Sequence, residues 1–250
     1  MKIPFLSATA TALDYRKPEP SAIPSLDGLQ VGAAYCIARM GGDYFEFLSP
    51  SPTRLVFALF DISGQRNQSL EIAAHVQDVL RARAPELFAN DDINETEAIA
   101  ALALEVNRVV LRAADGPRNS PAFLGSFDRS LGILSYINAG HPAGLIKDGA
   151  GITRLASTGI PLGLFSHSTF EPQVSVVEPG AALLLSSRGL VETRCKGEEF
   201  GEERLMQAFR VVQFDTAQDL CTRILDAAKE FCCGPLLHND VTTIALVRHS

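Results

Sequence analysis

The fold class this sequence predicts is α+β: two mostly antiparallel sheets lying face to face with helix pairs outside. Three observations lead there. Candidate strands and helices come in runs and not in strict alternation, which disfavours a doubly wound parallel sheet. The run Leu55–Phe60 is apolar on both faces and therefore reads as a central strand covered on both sides. Two segments carry apolar residues at helical spacing: Ile72, Val76, Val79 and Leu80 in one, Ile99, Leu102, Val106 and Val109 in the other.

In chain order, residues 1–27 are rich in Pro, Ser, Ala and Thr without periodicity and read as an arm leading into a single domain, 28–250. Strands are expected at Gln30–Ala38, Tyr44–Leu48 and Arg54–Phe60, with Ser49-Pro50-Ser51-Pro52 as the turn before the third. The two helical segments follow, and Pro85 is expected to end or kink the first. A hairpin, Ala122–Phe127 with Leu131–Ile137, turns at Asp128-Arg129-Ser130. Further strands fall at Gly144–Lys147, Gln173–Val177 and Ala182–Ser186. Two more helices, about Glu202–Val212 and Ala217–Cys232, precede a closing strand, Val241–Val247. Thr216 with Asp219 three residues on is an approximate capping box for the second of these helices.

Composition narrows the function classes. With 46% apolar and 20% charged residues among 250, the chain is an ordinary globular one. Its net charge of −7 and pI near 5.3 argue against nucleic acid or an anionic membrane as the main partner. No run approaches a membrane span, and the apolar stretch at Ile3–Leu6, broken by Pro4, is too short for a signal peptide, so a cytoplasmic protein is expected. The five cysteines are odd in number and lack C-x-x-C spacing, and they read as buried or incidental thiols. The glycines around Gly149-Ala150-Gly151 lack the strand-loop-helix context of a nucleotide site.

The segments that carry chemistry are Gly41-Gly42-Asp43-Tyr44-Phe45-Glu46-Phe47 and Phe60-Asp61-Ile62-Ser63-Gly64, each with an aspartate beside permissive glycine at the end of a candidate strand. Asp beside Gly also caps strand ends and turns, and on pattern alone that alternative stays open. Further segments stand behind these two: Asn138-Ala139-Gly140-His141-Pro142, Gly159-Ile160-Pro161-Leu162-Gly163, Leu184–Glu192, Glu199–Leu205 and His238-Asn239-Asp240-Val241-Thr242-Thr243. His141, in a Gly-His-Pro turn, is expected to hold a loop by hydrogen bonding. In this order and spacing the segments resemble the metal-dependent PPM-type (PP2C-like) protein phosphatases of the SpoIIE and RsbU kind, from about Leu29 to Arg248.

The resemblance implies a four-layer αββα sandwich whose two sheets meet at a site for two Mn²⁺ or Mg²⁺ ions, where a metal-bound water attacks phosphoserine or phosphothreonine. Asp61 matches the bridging carboxylate, Ile62 would offer its backbone carbonyl, and Asp43 matches a carboxylate that holds a metal through water. Such oxygen donors suit hard cations. Paired ions lower the pKa of bound water and clamp an in-line displacement.

Two positions depart from the family pattern. Ser187-Arg188-Gly189 stands where the family has Thr-Asp-Gly, and Asn239 stands where it has a further ligand aspartate. Asp240, one residue on, is expected to face the opposite way on a strand. Two aspartates, a neutral asparagine and a guanidinium leave one net negative charge against the four positive charges of two divalent ions. A guanidinium ~4 Å from such an ion adds repulsion of about 8 kcal/mol at an effective dielectric near 20. Arginine cannot escape it by deprotonating. One ion, or none, is therefore expected in place of two, unless Glu192 or Asp240 repairs the site.

The functional expectation is a SpoIIE-like serine/threonine phosphatase domain in phosphorylation-dependent partner switching, with weakened or lost turnover. The alternative is a pseudophosphatase that binds a phosphoprotein without hydrolysis, Arg188 pairing with the phosphate where a metal would otherwise sit. The partner would be a phosphorylated regulatory protein such as an anti-sigma-factor antagonist. Control would come from a separate protein or from expression level, since no sensory segment is recognisable in the chain.

Overall fold

The computed structural model describes residues 16–36, 42–90, 92–114, 116–232 and 239–249. Ile3, Pro4, Leu6, Ala38, Gly41 and His238, named above, lie outside these, as does the first part of the arm. Twelve strands and five helices are assigned among the described residues: β1 Leu29–Cys36, β2 Asp43–Ser51, β3 Arg54–Asp61, α1 Arg66–Phe88, α2 Glu95–Ala113, β4 Ala122–Asp128, β5 Ile133–Ala139, β6 Gly144–Lys147, β7 Ile152–Leu155, β8 Gln173–Val176, β9 Ala182–Ser186, α3 Arg188–Val191, β10 Arg194–Cys195, β11 Glu198–Glu199, α4 Gly201–Val211, α5 Ala217–Phe231 and β12 Val241–Arg248. One five-stranded sheet runs β1-β12-β9-β6-β7 and the other β2-β3-β4-β5-β8; every pairing within them is antiparallel.

Three apolar layers hold these sheets and helices together. Leu55, Phe57 and Leu59 of β3 meet Leu183, Leu185 and Ile244 between the sheets. Val56, Ala58 and Phe60, on the other face of β3, meet Ile72, Val76 and Leu80 of α1 and Ile99, Leu102 and Val106 of α2. Outside the other sheet, Leu184 and Ala245 pack on Leu205, Phe209, Leu220 and Ile224 of α4 and α5. The αββα order follows directly. The apolar β3 run and both helical stripes take the positions their periodicity implies.

Local chemistry explains the element ends and several shifts from expectation. The Asp128 carboxylate accepts from Ser130 N (2.8 Å) and Leu131 N (3.1 Å), and Gly132 follows at φ +74°, so the hairpin loop reaches Gly132 and β5 starts two residues later than expected. Ser49-Pro50 is not the turn: β2 continues to Ser51 with a register shift after Leu48. Proline is tolerated there because β2 is an edge strand. Pro85 sits inside α1, which ends one turn later at Phe88, with Ala89 N donating to Pro85 O (3.2 Å). Thr216 accepts from Asp219 N (3.0 Å) as the capping pattern implies, but Asp219 bonds back to Asp215 N, one residue before the cap. The short elements β7, α3, β10 and β11 were not legible from periodicity. Cys36, Cys221 and Cys232 are free thiols as expected, whereas Cys195 is disulfide-bonded, a correction to that expectation.

The arm is strapped to α1 and β2. Arg16 pairs both guanidinium NH₂ groups with Asp78 (2.6 Å each), and the Gln77 amide exchanges hydrogen bonds with the Glu19 backbone (2.8 Å each). Ser21 Oγ accepts from Phe47 N (2.8 Å) and donates to Glu46 (3.1 Å). Glu46, only 2% exposed, also accepts from Tyr44 Oη (2.5 Å), Gln77 Nε2 (2.7 Å) and Arg81 Nη2 (3.4 Å). Burial and this carboxylate push the Tyr44 hydroxyl pKa up. Glu46→Ala leaves several buried donors unanswered. It is expected to cost about 2–4 kcal/mol in urea denaturation and to speed amide exchange at Glu19 and Phe47; unchanged exchange at both would show that Glu46 does not anchor the strap.

Candidate metal centre and phosphate cleft

The site lies where β2 begins and β3 ends. In the β2–β3 register Asp43 stands directly opposite Asp61, and Ile62 N closes the ladder on Gly42 O (2.9 Å). Gly42 is required there, because a Cβ would overlap the Ile62 carbonyl oxygen. Across the cleft, β9 ends at Ser186 and the one-turn α3 begins at Arg188, so the guanidinium enters from the other sheet. Gly189 lets α3 lie against the Asp240 carbonyl, where a Cβ would collide.

These elements bring Asp43, Asp61, Arg188 and Asn239 to one cleft, which Ile62 does not line. A cleft of about 290 Å³ is lined by Gly42, Asp43, Asp61, Arg188, Gly189, Glu192, Asn239 and Asp240. The Ile62 side chain is buried in the helix-side core and its carbonyl abuts Gly42. Asp240 corrects its expectation. It faces the cleft beside Asn239, because β12 begins only at Val241 and strand alternation does not govern these two residues. The role of Glu192 was hidden for a related reason: it lies one helical turn from Arg188, visible only once residues 188–191 are known to be helical.

Arg188 Nε donates to Asp61 Oδ2 at 3.1 Å and stands 3.8 Å from Glu192 Oε1. Asp43 is held differently. Its Oδ2 is enclosed and has no hydrogen-bond partner. Burial pushes its carboxyl up to about 8, with the Asp61 and Asp240 charges adding to the rise and the Ser187 and Thr242 hydroxyls drawing it partly back. His141 lies fully beneath the cleft. Burial holds it down to about 4, with the Arg188 charge in the same sense. The neutral ring donates from Nδ1 to Pro142 O (3.2 Å), the tautomer that bond requires, and His141 N donates to Asn138 Oδ1 (2.9 Å). His141 thus fixes its loop, as expected.

The donor set is of the oxygen kind that hard cations prefer. An orphaned Asp43 oxygen opposite Asp61, with a backbone carbonyl adjoining, is a partial oxygen shell of the kind Mg²⁺ or Mn²⁺ completes with water. No group of three or more His, Cys, Asp or Glu able to hold a metal occurs among the described residues. A second cavity of about 340 Å³ adjoins the cleft, sharing Gly42, Asp43 and Asp240; Pro18, Pro20 and Ile23 of the arm, Tyr35, Phe45 and Leu70 make it largely apolar.

Two antiparallel sheets between helix pairs are the architecture of PP2C phosphatase domains. The family described as Stage II sporulation protein E (SpoIIE) matches residues 51–249, and the chain belongs to that family. Protein IcfG of Synechocystis sp. is 27% identical over 255 residues, covering 92% of this chain and 39% of its own length. The RsbU and RsbW domains of Rv1364c from Mycobacterium tuberculosis superpose with a TM-score of 0.72 at 23% identity, over 91% of this chain and 63% of that one. The PP2C phosphatase domain of SpoIIE from Bacillus subtilis, with a fragment of its regulatory domain, gives 0.71 at 15% identity, over 88% and 62%. This chain therefore spans about two fifths of that curated relative and under two thirds of these two solved chains. Dependence on Mg²⁺ or Mn²⁺ is general to the class.

The two displaced pKa values set a pH dependence of stability. Folded Asp43 keeps its proton up to about 8 while the unfolded side chain loses it near ~4. Stability therefore falls as pH rises through that interval and levels off above it. His141 acts oppositely, since its folded value near 4 against ~6.5 unfolded removes stability only as pH drops below ~6.5. Between ~6.5 and 8 Asp43 acts alone. With EDTA present, urea titrations are expected to show a loss of about 1–2 kcal/mol across that window that Asp43→Asn abolishes. Parallel curves for the two proteins would refute the assignment.

Proposed function

We propose that this domain serves phosphorylation-dependent partner switching with weakened or lost hydrolysis, and that Arg188 receives the phosphoryl group of a regulatory phosphoprotein such as an anti-sigma-factor antagonist. The reading takes 28–250 as the functional unit and 1–27 as its arm. Membership in the SpoIIE family supports the signalling role. The observation that carries the loss of turnover is Arg188 Nε at 3.1 Å from Asp61 Oδ2, on the carboxylate that a divalent pair would have to share.

A bound ion in this class supplies an activated water and charge neutralisation of the phosphoryl group. This chain's residues supply less. Asp61 is engaged by Arg188, Asn239 brings no charge, and Asp43 holds a proton at neutral pH. What remains suits binding: a half-exposed guanidinium in an open cleft pairs with phosphate oxygens in two-pronged fashion. The apolar cavity alongside favours a protein segment over a small phosphomonoester.

Phosphate release from a phosphoserine protein in millimolar Mn²⁺ is expected to stay near that of Asp61→Ala. Arg188→Asp combined with Asn239→Asp is expected to raise it at least tenfold, the scale on which general acid–base and metal contributions act. Wild-type turnover far above Asp61→Ala would overturn the loss of hydrolysis. In EDTA, Arg188→Ala is expected to weaken phosphoprotein binding; equal binding by the two proteins would remove Arg188 as the phosphate receptor.

A further inference from the structure

We infer that Arg188 is a tethered cation that exchanges between Asp61 and Glu192, so that its departure opens the Asp61 carboxylate to a divalent ion and Glu192 is the positioning residue that receives it. This exchange governs the access of a cation to Asp61. Its phosphate arm rests on the function proposed above; its cation arm does not.

The guanidinium stands between two carboxylates at comparable reach, 3.1 Å from Asp61 and 3.8 Å from Glu192. Neither partner is deeply buried: the side chains of Arg188, Asp61 and Glu192 are 38%, 22% and 44% exposed, so the exchange requires no desolvated intermediate. The backbone around Arg188 is pinned. Glu192 N donates to Arg188 O (2.9 Å), Ser187 N donates to Thr242 O (2.8 Å), and Gly189 seats α3 against Asp240. The i,i+4 spacing within α3 and its cap keeps Glu192 within reach of Arg188 in either arrangement.

On the far side of Asp61 the partnerless Asp43 Oδ2 offers the oxygen a cation would share with it. A guanidinium and a divalent ion repel, and both are drawn to the same carboxylate, so each lowers the other's occupancy there. An anion that draws Arg188 away from Asp61 acts in the opposite sense. Linkage then requires the cation to raise the anion's affinity by the same factor.

Calorimetric titration with Mn²⁺ alone tests the cation arm. Arg188→Ala is expected to tighten Mn²⁺ binding at least tenfold over wild type. Glu192→Gln is expected to weaken it severalfold in the wild-type background and to leave it unchanged in Arg188→Ala, a non-additivity that a plain loss of negative charge would not produce. Unchanged Mn²⁺ affinity in Arg188→Ala, or an equal effect of Glu192→Gln in both backgrounds, overturns the exchange.

Repeating the titrations with saturating phosphoserine peptide tests the anion arm. The Mn²⁺ affinity of wild type is expected to rise by a larger factor than that of Arg188→Ala, and equal factors refute the coupling through Arg188. Peptide binding in EDTA is measured separately. If the peptide fails to bind, the proposed function falls while the Mn²⁺ cycle still decides the exchange.

Discussion

Two carboxylates set face to face at the open end of the sandwich, Asp43 and Asp61, are the constraint to which the surrounding residues answer. Antiparallel pairing places them directly opposite each other, and like charges at that separation need a positive charge or a proton. Both solutions are present. Asp61 is paired with the guanidinium of Arg188, and Asp43, enclosed with an unpartnered oxygen, holds its proton to about 8. Arg188 thus brings a positive charge of the chain's own to the Asp61 carboxylate.

The same strand carries a second buried carboxylate on its opposite face. Glu46 points toward α1 and gathers Tyr44, Gln77, Arg81 and the arm residue Ser21, while Asp43 points into the cleft. The pleat separates the two tasks: one acid anchors the strap over β2 and α1, the other faces the site. Because the arm also walls the apolar cavity next to the cleft, the strap and the site share β2 as a common support.

Much of the fold was legible from periodicity. The Leu55–Phe60 run and both helical stripes depend on local spacing and took their expected places, and the hairpin at Asp128 formed with its second strand two residues later than expected. Pro50 was misjudged because an edge strand tolerates a residue that an interior strand excludes, and edge position is a property of the sheet. The orientation of Asp240 was misjudged because alternation was applied to a residue that precedes its strand. The short helix α3 is a single turn, below the length at which periodicity speaks, and with it went the pairing of Arg188 with Glu192.

The amino-acid order alone determined which layers form and which residue types reach the site, since apolar spacing and the identities of Asp43, Asp61, Arg188 and Asn239 are written in it directly. Only the tertiary structure decided what those residues do to one another. Asp61 ends a strand of one sheet and Arg188, 127 positions on, opens the helical turn that follows a strand of the other, and what the guanidinium does to the carboxylate is a matter of a few ångströms between them. Coulomb interactions depend on that distance and on burial, and neither is a local property of the chain.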